Sequence, residues 1–182
     1  MSLFVDTSVW YAAADSGDRG NRRAVDILSS GEPLLTSDHI LAETWILLRH
    51  RLSRDAAERF WEGIRGGVAT LESTNAADLE VAWTIGFDFP DQDFSLIDRT
   101  SFAVMLRLGI SRAASFDDDF AVFRLGRNRD RAFEIVRCKR SPRSRSSCQR
   151  ELENLTHPAT PLPDRSAPPG TVPGYNRRPA QR

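Results

Sequence analysis

Four acidic positions fall where this chain could do chemistry. Asp6 follows the apolar run LFV (residues 3–5), and Glu43 lies inside LAETWILL. Asp98 opens the apolar stretch of SLIDRTSFAVM, and Asp117 leads a run of three aspartates after RAASF. Two carboxylates about 5 Å apart at an effective dielectric near 20 repel by roughly 3 kcal/mol, and four compound the cost. A protein sustains that if some groups protonate, a basic side chain intervenes, or a cation binds. The sole lysine is Lys139, far from all four positions in the chain. Arg99 and Arg112 stand at no strand end. A divalent cation is the economical partner, and oxygen donors favour Mg²⁺ or Mn²⁺ over zinc. His39, His50 and His157 show no ligand spacing, and no nucleophile–base triad is apparent.

Each position also has a plainer structural reading. Ser95-Leu96-Ile97-Asp98 has the pattern of a capping box. Asp117 can cap a short helix over DDFAVF, with Asp118 and Asp119 favouring its positive end. Asp6 can hold a turn through DTS. Glu43 has no such alternative: with Ile40, Ile46 and Leu47 as helical neighbours, its carboxylate is expected to be partly buried and to need compensation. Asp98 shares a helix face with Phe102 and Met105, so it points the way of the core stripe.

The elements that must position these acids alternate. LFV, PLLT (33–36), VATLES, RAASF and FEIV (133–136) read as short strands. Helices are expected over NRRAVDILSS up to Gly31, from His39 to Leu52 with Ser37 or Asp38 as cap, and from Arg54 to Ile64. Two more are expected over AADLEVAWTIGF and SLIDRTSFAVMLRLG, the last stopped by Gly109. Alternation of this kind predicts a parallel sheet covered on both faces. In such a sheet the binding crevice lies outside the carboxyl ends of the strands, where Asp6 and Asp117 meet if their strands are neighbours.

The 182 residues carry 25 basic and 25 acidic side chains, a balance that hides an asymmetry. Residues 1–137 hold 16 Arg against 22 Asp and Glu, whereas 138–182 hold 9 Lys and Arg against 3. The expectation is one acidic domain over 1–137, followed by a basic Pro/Ser/Arg-rich tail over 138–182 too poor in large apolar residues to order itself. Cys138 and Cys148 match no zinc spacing, and a reducing cytoplasm is the default for them. No signal peptide is evident, and no run approaches the roughly 18 apolar residues of a membrane span. The four tryptophans, Trp10, Trp45, Trp61 and Trp83, are expected in the core.

Together FVDTSVWYA, LAETWILL, DFSLIDRTSFAVM and SFDDDF, in this order and spacing, resemble the PIN-domain ribonucleases of the VapC toxin type. The resemblance spans about residues 1–137. It implies a three-layer α/β/α fold with a four- or five-stranded parallel sheet. It also implies that Asp6, Glu43, Asp98 and Asp117 are the catalytic, metal-binding acids, with Asp119 as a further ligand. Thr7 and Ser8 would hydrogen-bond within the site, and Ser95 would support Asp98. The implied activity is Mg²⁺- or Mn²⁺-dependent endonucleolytic cleavage of RNA by a metal-activated water, in a homodimer inhibited by a cognate antitoxin. The sequence does not choose among Asp117, Asp118 and Asp119 for the inward position. An acidic pocket repels a phosphate backbone, so rim arginines are needed, and Arg19, Arg22, Arg23, Arg49, Arg51, Arg99 and Arg112 are candidates. Two other classes compete. An aspartyl-phosphate phosphotransfer domain would need a lysine near the site, and the dehalogenase-like version an acid where Ser8 stands. A non-catalytic metal-binding module would keep the acids for structure.

Overall fold

The computed structural model describes residues 2–126 and 130–136. The expected tail, 138–182, lies outside the described residues. Five short strands form one parallel sheet in the order β3-β2-β1-β4-β7. They are β1 (Leu3–Val5), β2 (Leu34–Ser37), β3 (Thr70–Glu72), β4 (Arg112–Ala114) and β7 (Glu134–Ile135). The register pairs Leu3 with Leu34, Phe4 with Ala113, Thr36 with Leu71 and Ala113 with Ile135. A two-stranded antiparallel ribbon of β5 (Arg124–Leu125) and β6 (Arg131–Ala132) precedes β7. That ribbon is absent from the sequence reading because two-residue strands leave no periodicity to detect.

Between the strands lie α1 (Thr7–Ala14), α2 (Asn21–Leu28), α3 (Asp38–Arg51), α4 (Arg54–Arg65), α5 (Ala76–Asp88), α6 (Leu96–Leu108) and the single turn α7 (Asp119–Val122). Local chemistry fixes their ends. Ser37 and Ser53 accept N–H bonds from Ile40 and Ala56, and α5 and α6 each open with a complete capping box. Helix α6 closes on Gly109 at φ 66°, the left-handed backbone that glycine adopts without strain. Right-handed crossovers place α1–α4 over one face and α5 and α6 over the other. The packing agrees: Trp10 of α1 meets Phe60 of α4, whereas Phe4 of β1 meets Phe120, which in turn packs on Phe102 of α6. Phe102 also stacks on Phe123 at 4.2 Å and meets Phe94 edge-on at 5.3 Å. This phenylalanine core is the rigid floor on which the N-terminal turn of α6 rests.

Two tryptophans depart from expectation. Trp10 is buried and Trp45 partly so, but Trp61 and Trp83 are exposed, Trp83 by 67%.

The α5–α6 pair is pinned by one buried acid. Asp78 is 2% exposed, and Arg107 donates to it through Nε (2.9 Å) and Nη2 (3.0 Å), while Nη1 reaches Glu72 at 2.8 Å. Burial alone would raise the Asp78 pKa, but the Arg107 fork and the Asn75 N–H outweigh it and hold the carboxyl below its ordinary value. Arg107→Ala is therefore expected to cost about 2–4 kcal/mol at neutral pH, because it strands a buried carboxylate. A depressed pKa contributes stability above the unfolded value, near 4, that is lost on acidification. Since the variant relieves its stranded charge by protonation, its deficit should shrink below about pH 4. Urea unfolding of both proteins at neutral and acid pH checks this.

Candidate active site

The sheet connections leave in opposite directions from β1 and β4, so the crevice of this sheet opens at the carboxyl ends of those two strands. Asp6 stands there. Its N–H donates to the Ala114 carbonyl (3.0 Å), which extends the β1–β4 ladder one residue into the crevice. It also occupies the N-cap of α1, and its Oδ2 accepts from Ser8 N–H (3.2 Å), Ser8 Oγ (2.6 Å) and Ser115 Oγ (2.9 Å). Ser8 Oγ in turn accepts the Phe116 N–H (2.9 Å), and Ser115 Oγ accepts the Asp117 N–H (3.0 Å). One buried carboxylate, 5% exposed, thus organises the turn that carries the aspartate run. The turn expected through DTS is realised as a helix cap. Ser115 was not identified from the sequence: a serine ending RAAS reads as one more strand residue until β4 is known to lie beside β1.

Glu43 is half-buried on α3, as its neighbours implied, although Ile46 faces solvent. Thr7 Oγ1 donates to Glu43 Oε2, and Thr44 Oγ1 lies 3.4 Å behind Thr7. Thr7 and Ser8 therefore both hydrogen-bond to acids of the crevice. Asp98 completes the capping box of α6: Ser95 N–H donates to its Oδ2 (2.8 Å) and its own N–H donates to Ser95 Oγ (3.1 Å). The capping box does not isolate Asp98 from the other acids, since its charge acts on Glu43 and Asp119. Asp117 is exposed and takes the Asp119 N–H on Oδ1 (3.1 Å). Asp118 holds the N-cap position of α7 without a side-chain cap bond, and the N–H of the first helical residue is taken instead by Asp117, the residue that the sequence offered as cap.

Electrostatics identify which acids share the space. Burial raises the Asp6 pKa, and the Ser8 and Ser115 bonds pull it down without cancelling the rise. Burial also raises Glu43; Thr7 opposes the shift, and the charges of Asp6, Asp98 and Asp117 add to it. Asp119 is pushed up to about 6 by burial and then by Asp117, Asp98, Asp6 and Asp93. The structure therefore brings Asp6, Glu43, Asp98, Asp117 and Asp119 within each other's field, and it adds Asp93, which the sequence reading passed over. Among the described residues no arginine forms an ion pair with any of the five. The donor set is all oxygen and uncompensated, which fits a hard divalent cation. As the side chains stand, no three His, Cys, Asp or Glu among the described residues are close enough together to hold one.

The rim arginines separate into groups. Arg112 begins β4, at the opposite end of the strand from the crevice, and pairs with Glu32 and Glu134. Arg49 and Arg51 lie in the last turn of α3, away from the crevice end, with Arg49 over the Trp45 ring at 5.7 Å. Arg99 donates from Nε to the Phe94 carbonyl (2.9 Å), and its guanidinium lies against Gly86 of α5, where any side chain would displace it. Arg112, Arg49 and Arg99 are thus engaged on the scaffold, and Arg51 is exposed at the far end of α3. Arg23 sits 5.2 Å over the ring of Phe116, the residue before Asp117, and Arg19 and Arg22 are exposed on the same stretch. The rim of the crevice is therefore the segment around α2's first turn.

A parallel sheet with an acidic crevice at its switch point is shared by nucleases and phosphotransfer domains, and the comparison with known families separates them. The PIN-domain model matches residues 3–124, and the chain belongs to the PIN-domain family. It is similar to the 23S rRNA-specific endonuclease VapC20 of Mycobacterium tuberculosis, in sequences from two strains. The identity is 38% over 120 residues, covering 65% of this chain and 92% of the relative. The crystal structure of Mycobacterium tuberculosis VapC20, a sarcin–ricin-loop-cleaving toxin, matches with a TM-score of 0.63 at 37% identity, over 65% of this chain and 92% of that one. The chain is a PIN nuclease of the VapC type.

The raised carboxyls carry a pH consequence. A folded acid whose pKa exceeds its unfolded value holds a proton that the unfolded chain releases, so its ionisation costs stability as pH rises through the folded pKa. In EDTA, the Tm of the protein should climb as pH falls from about 7 toward about 5, and Asp119→Asn should flatten that climb. Thermal unfolding across this window is the check.

Proposed function

We propose that this chain is the toxin of a toxin–antitoxin pair, an endoribonuclease that hydrolyses phosphodiester bonds of structured ribosomal RNA. The observation that carries the reading is that carboxylates from four separate elements share one field at the β1–β4 switch point, with no paired base among the described residues. Asp6, Glu43, Asp98 and Asp117 are the catalytic acids, and with Asp119 they would hold Mg²⁺ or Mn²⁺. A divalent cation there supplies a nucleophile by acidifying a water and offsets charge at the phosphate and the departing oxygen.

The chain's own contribution is placement. Ser8 and Ser115 commit one oxygen of Asp6 and leave the other outside those bonds; Thr7 does the same for Glu43. Because Asp98 is half of a capping box, its backbone and carboxylate are fixed by the same two hydrogen bonds. Arg19, Arg22 and Arg23 offset the repulsion between acidic crevice and phosphate backbone. The relative's target, 23S rRNA, supports a folded RNA loop as substrate class, since such loops present unstacked bases to a protein surface.

A cognate antitoxin that covers the crevice is the natural inhibitor, and the shared compartment is the cytoplasm. Among the described residues no helix is long and apolar enough to cross a membrane. A homodimer is supported by α5, where Leu79, Trp83 and Phe87 form an exposed stripe at four-residue spacing. Trp83 and Phe87 are 67% and 69% exposed and pack edge-on at 5.3 Å.

Purified protein should cut rRNA with Mg²⁺ or Mn²⁺ and stop with EDTA, and Asp6→Asn should lower the rate by at least about 100-fold. Cleavage by Asp6→Asn at the wild-type rate removes the reading. Separately, Trp83→Glu should shift the protein to a monomer in analytical ultracentrifugation without lowering its Tm, because the ring stands in solvent within one chain.

A further inference from the structure

Helices α3 and α6 carry Glu43 and Asp98 yet belong to different crossovers, so the backbone ladder of the sheet does not fix one against the other. A side-chain relay does. His39 lies four residues before Glu43, one turn along the same face of α3. Its Nδ1 is 3.0 Å from Thr100 Oγ1 on α6, two residues beyond Asp98. Thr100 is fully buried and spends its one hydroxyl proton on the Ile97 carbonyl at 3.1 Å. With that proton on Ile97 the Thr100 oxygen accepts, and the tautomer consistent with this bond carries its proton on Nδ1 of His39. In that tautomer His39 donates to Thr100 and Thr100 donates to Ile97, in the turn of α6 that holds Asp98.

We propose that His39 is a positioning residue for the nuclease reaction, and that the His39–Thr100 bond sets the spacing between the carboxylates of Glu43 and Asp98. The inference rests on the reading of those acids as metal ligands. A hydrogen bond has a narrower range of lengths and angles than the apolar contacts between two helices, so it fixes register where packing alone permits sliding. Small displacements matter at an ion site, because ligand geometry is what the ion senses; loss of a supporting contact typically weakens metal binding about 10–100-fold.

The test uses the full-length chain with Mn²⁺ as the probe, titrated by calorimetry, alongside kcat and KM on an RNA substrate. His39→Ala and Thr100→Val should each weaken Mn²⁺ binding roughly tenfold and lower kcat with little change in KM. The double variant should be no worse than either single one. His39→Asn, whose amide N–H stands where Nδ1–H stood, should restore Mn²⁺ binding, and His39→Gln, whose amide reaches the Nε2 position instead, should not. The inference is overturned if folded His39→Ala binds Mn²⁺ as tightly as wild type, or if the Asn and Gln variants behave alike. Should Thr100→Val fail to fold, the Asn and Gln pair still decides. A wild-type chain that takes up no Mn²⁺ would instead overturn the metal reading of the crevice, and the inference with it; that result differs from wild-type uptake that the variants leave unchanged.

Discussion

A carboxylate nearly sealed from water must be held by donors or take up a proton, and Asp6 sits on that margin. Three hydrogen bonds converge on its Oδ2, all from serines, and burial still raises its pKa. Much of the crevice follows from this arrangement. Its donors, Ser8 and Ser115, are also the acceptors for the backbone of Phe116 and Asp117, so the shape of the aspartate turn depends on a residue more than a hundred positions earlier. The β1–β4 pairing of Phe4 with Ala113 is what brings the two ends of this lattice together.

The molecule holds acids of two kinds. Asp78 is buried and satisfied: Arg107 grips it with parallel N–H bonds, and its pKa falls. Asp6, Glu43 and Asp119 receive hydroxyl and backbone donors or each other's charge, and their pKa values rise. The difference lies in the partner supplied. Arginine completes a structural acid and leaves it inert. Among the described residues no base pairs with the crevice acids, and an acid without one is left to protonation or to a cation.

Most of the element order was legible because short apolar runs and amphipathic stretches alternate with clear caps; β1, β2, α3, α4, α5 and α6 all lie within a few residues of expectation. Helix α1 was missed for a physical reason. TSVWYAAA is buried over most of its surface, and a helix without a polar face has no stripe to reveal its period. The acids were visible because carboxylates among apolar neighbours need explaining wherever they fall. Ser115, Asp93 and the sorting of the arginines were not visible, since each depends on which strand lies beside which. Arg112 illustrates the point: the composition that suggested a rim residue says nothing about which end of β4 it occupies, and there it joins Glu32 and Glu134.

The wall of the crevice is set by an absence of side chain at Gly20. A Cβ there would lie 2.8 Å from Cε2 of Phe116, whose ring sits under Arg23 and whose N–H is tied to Ser8. The loop ahead of α2 can therefore lie flush against that ring, with Asp18 accepting the Gly20 N–H at 2.6 Å. Any larger residue at position 20 would act as a wedge, prising the arginine-bearing lip away from the acidic turn. Arginine-bearing lip and acidic turn are spaced by the width of one missing methyl group.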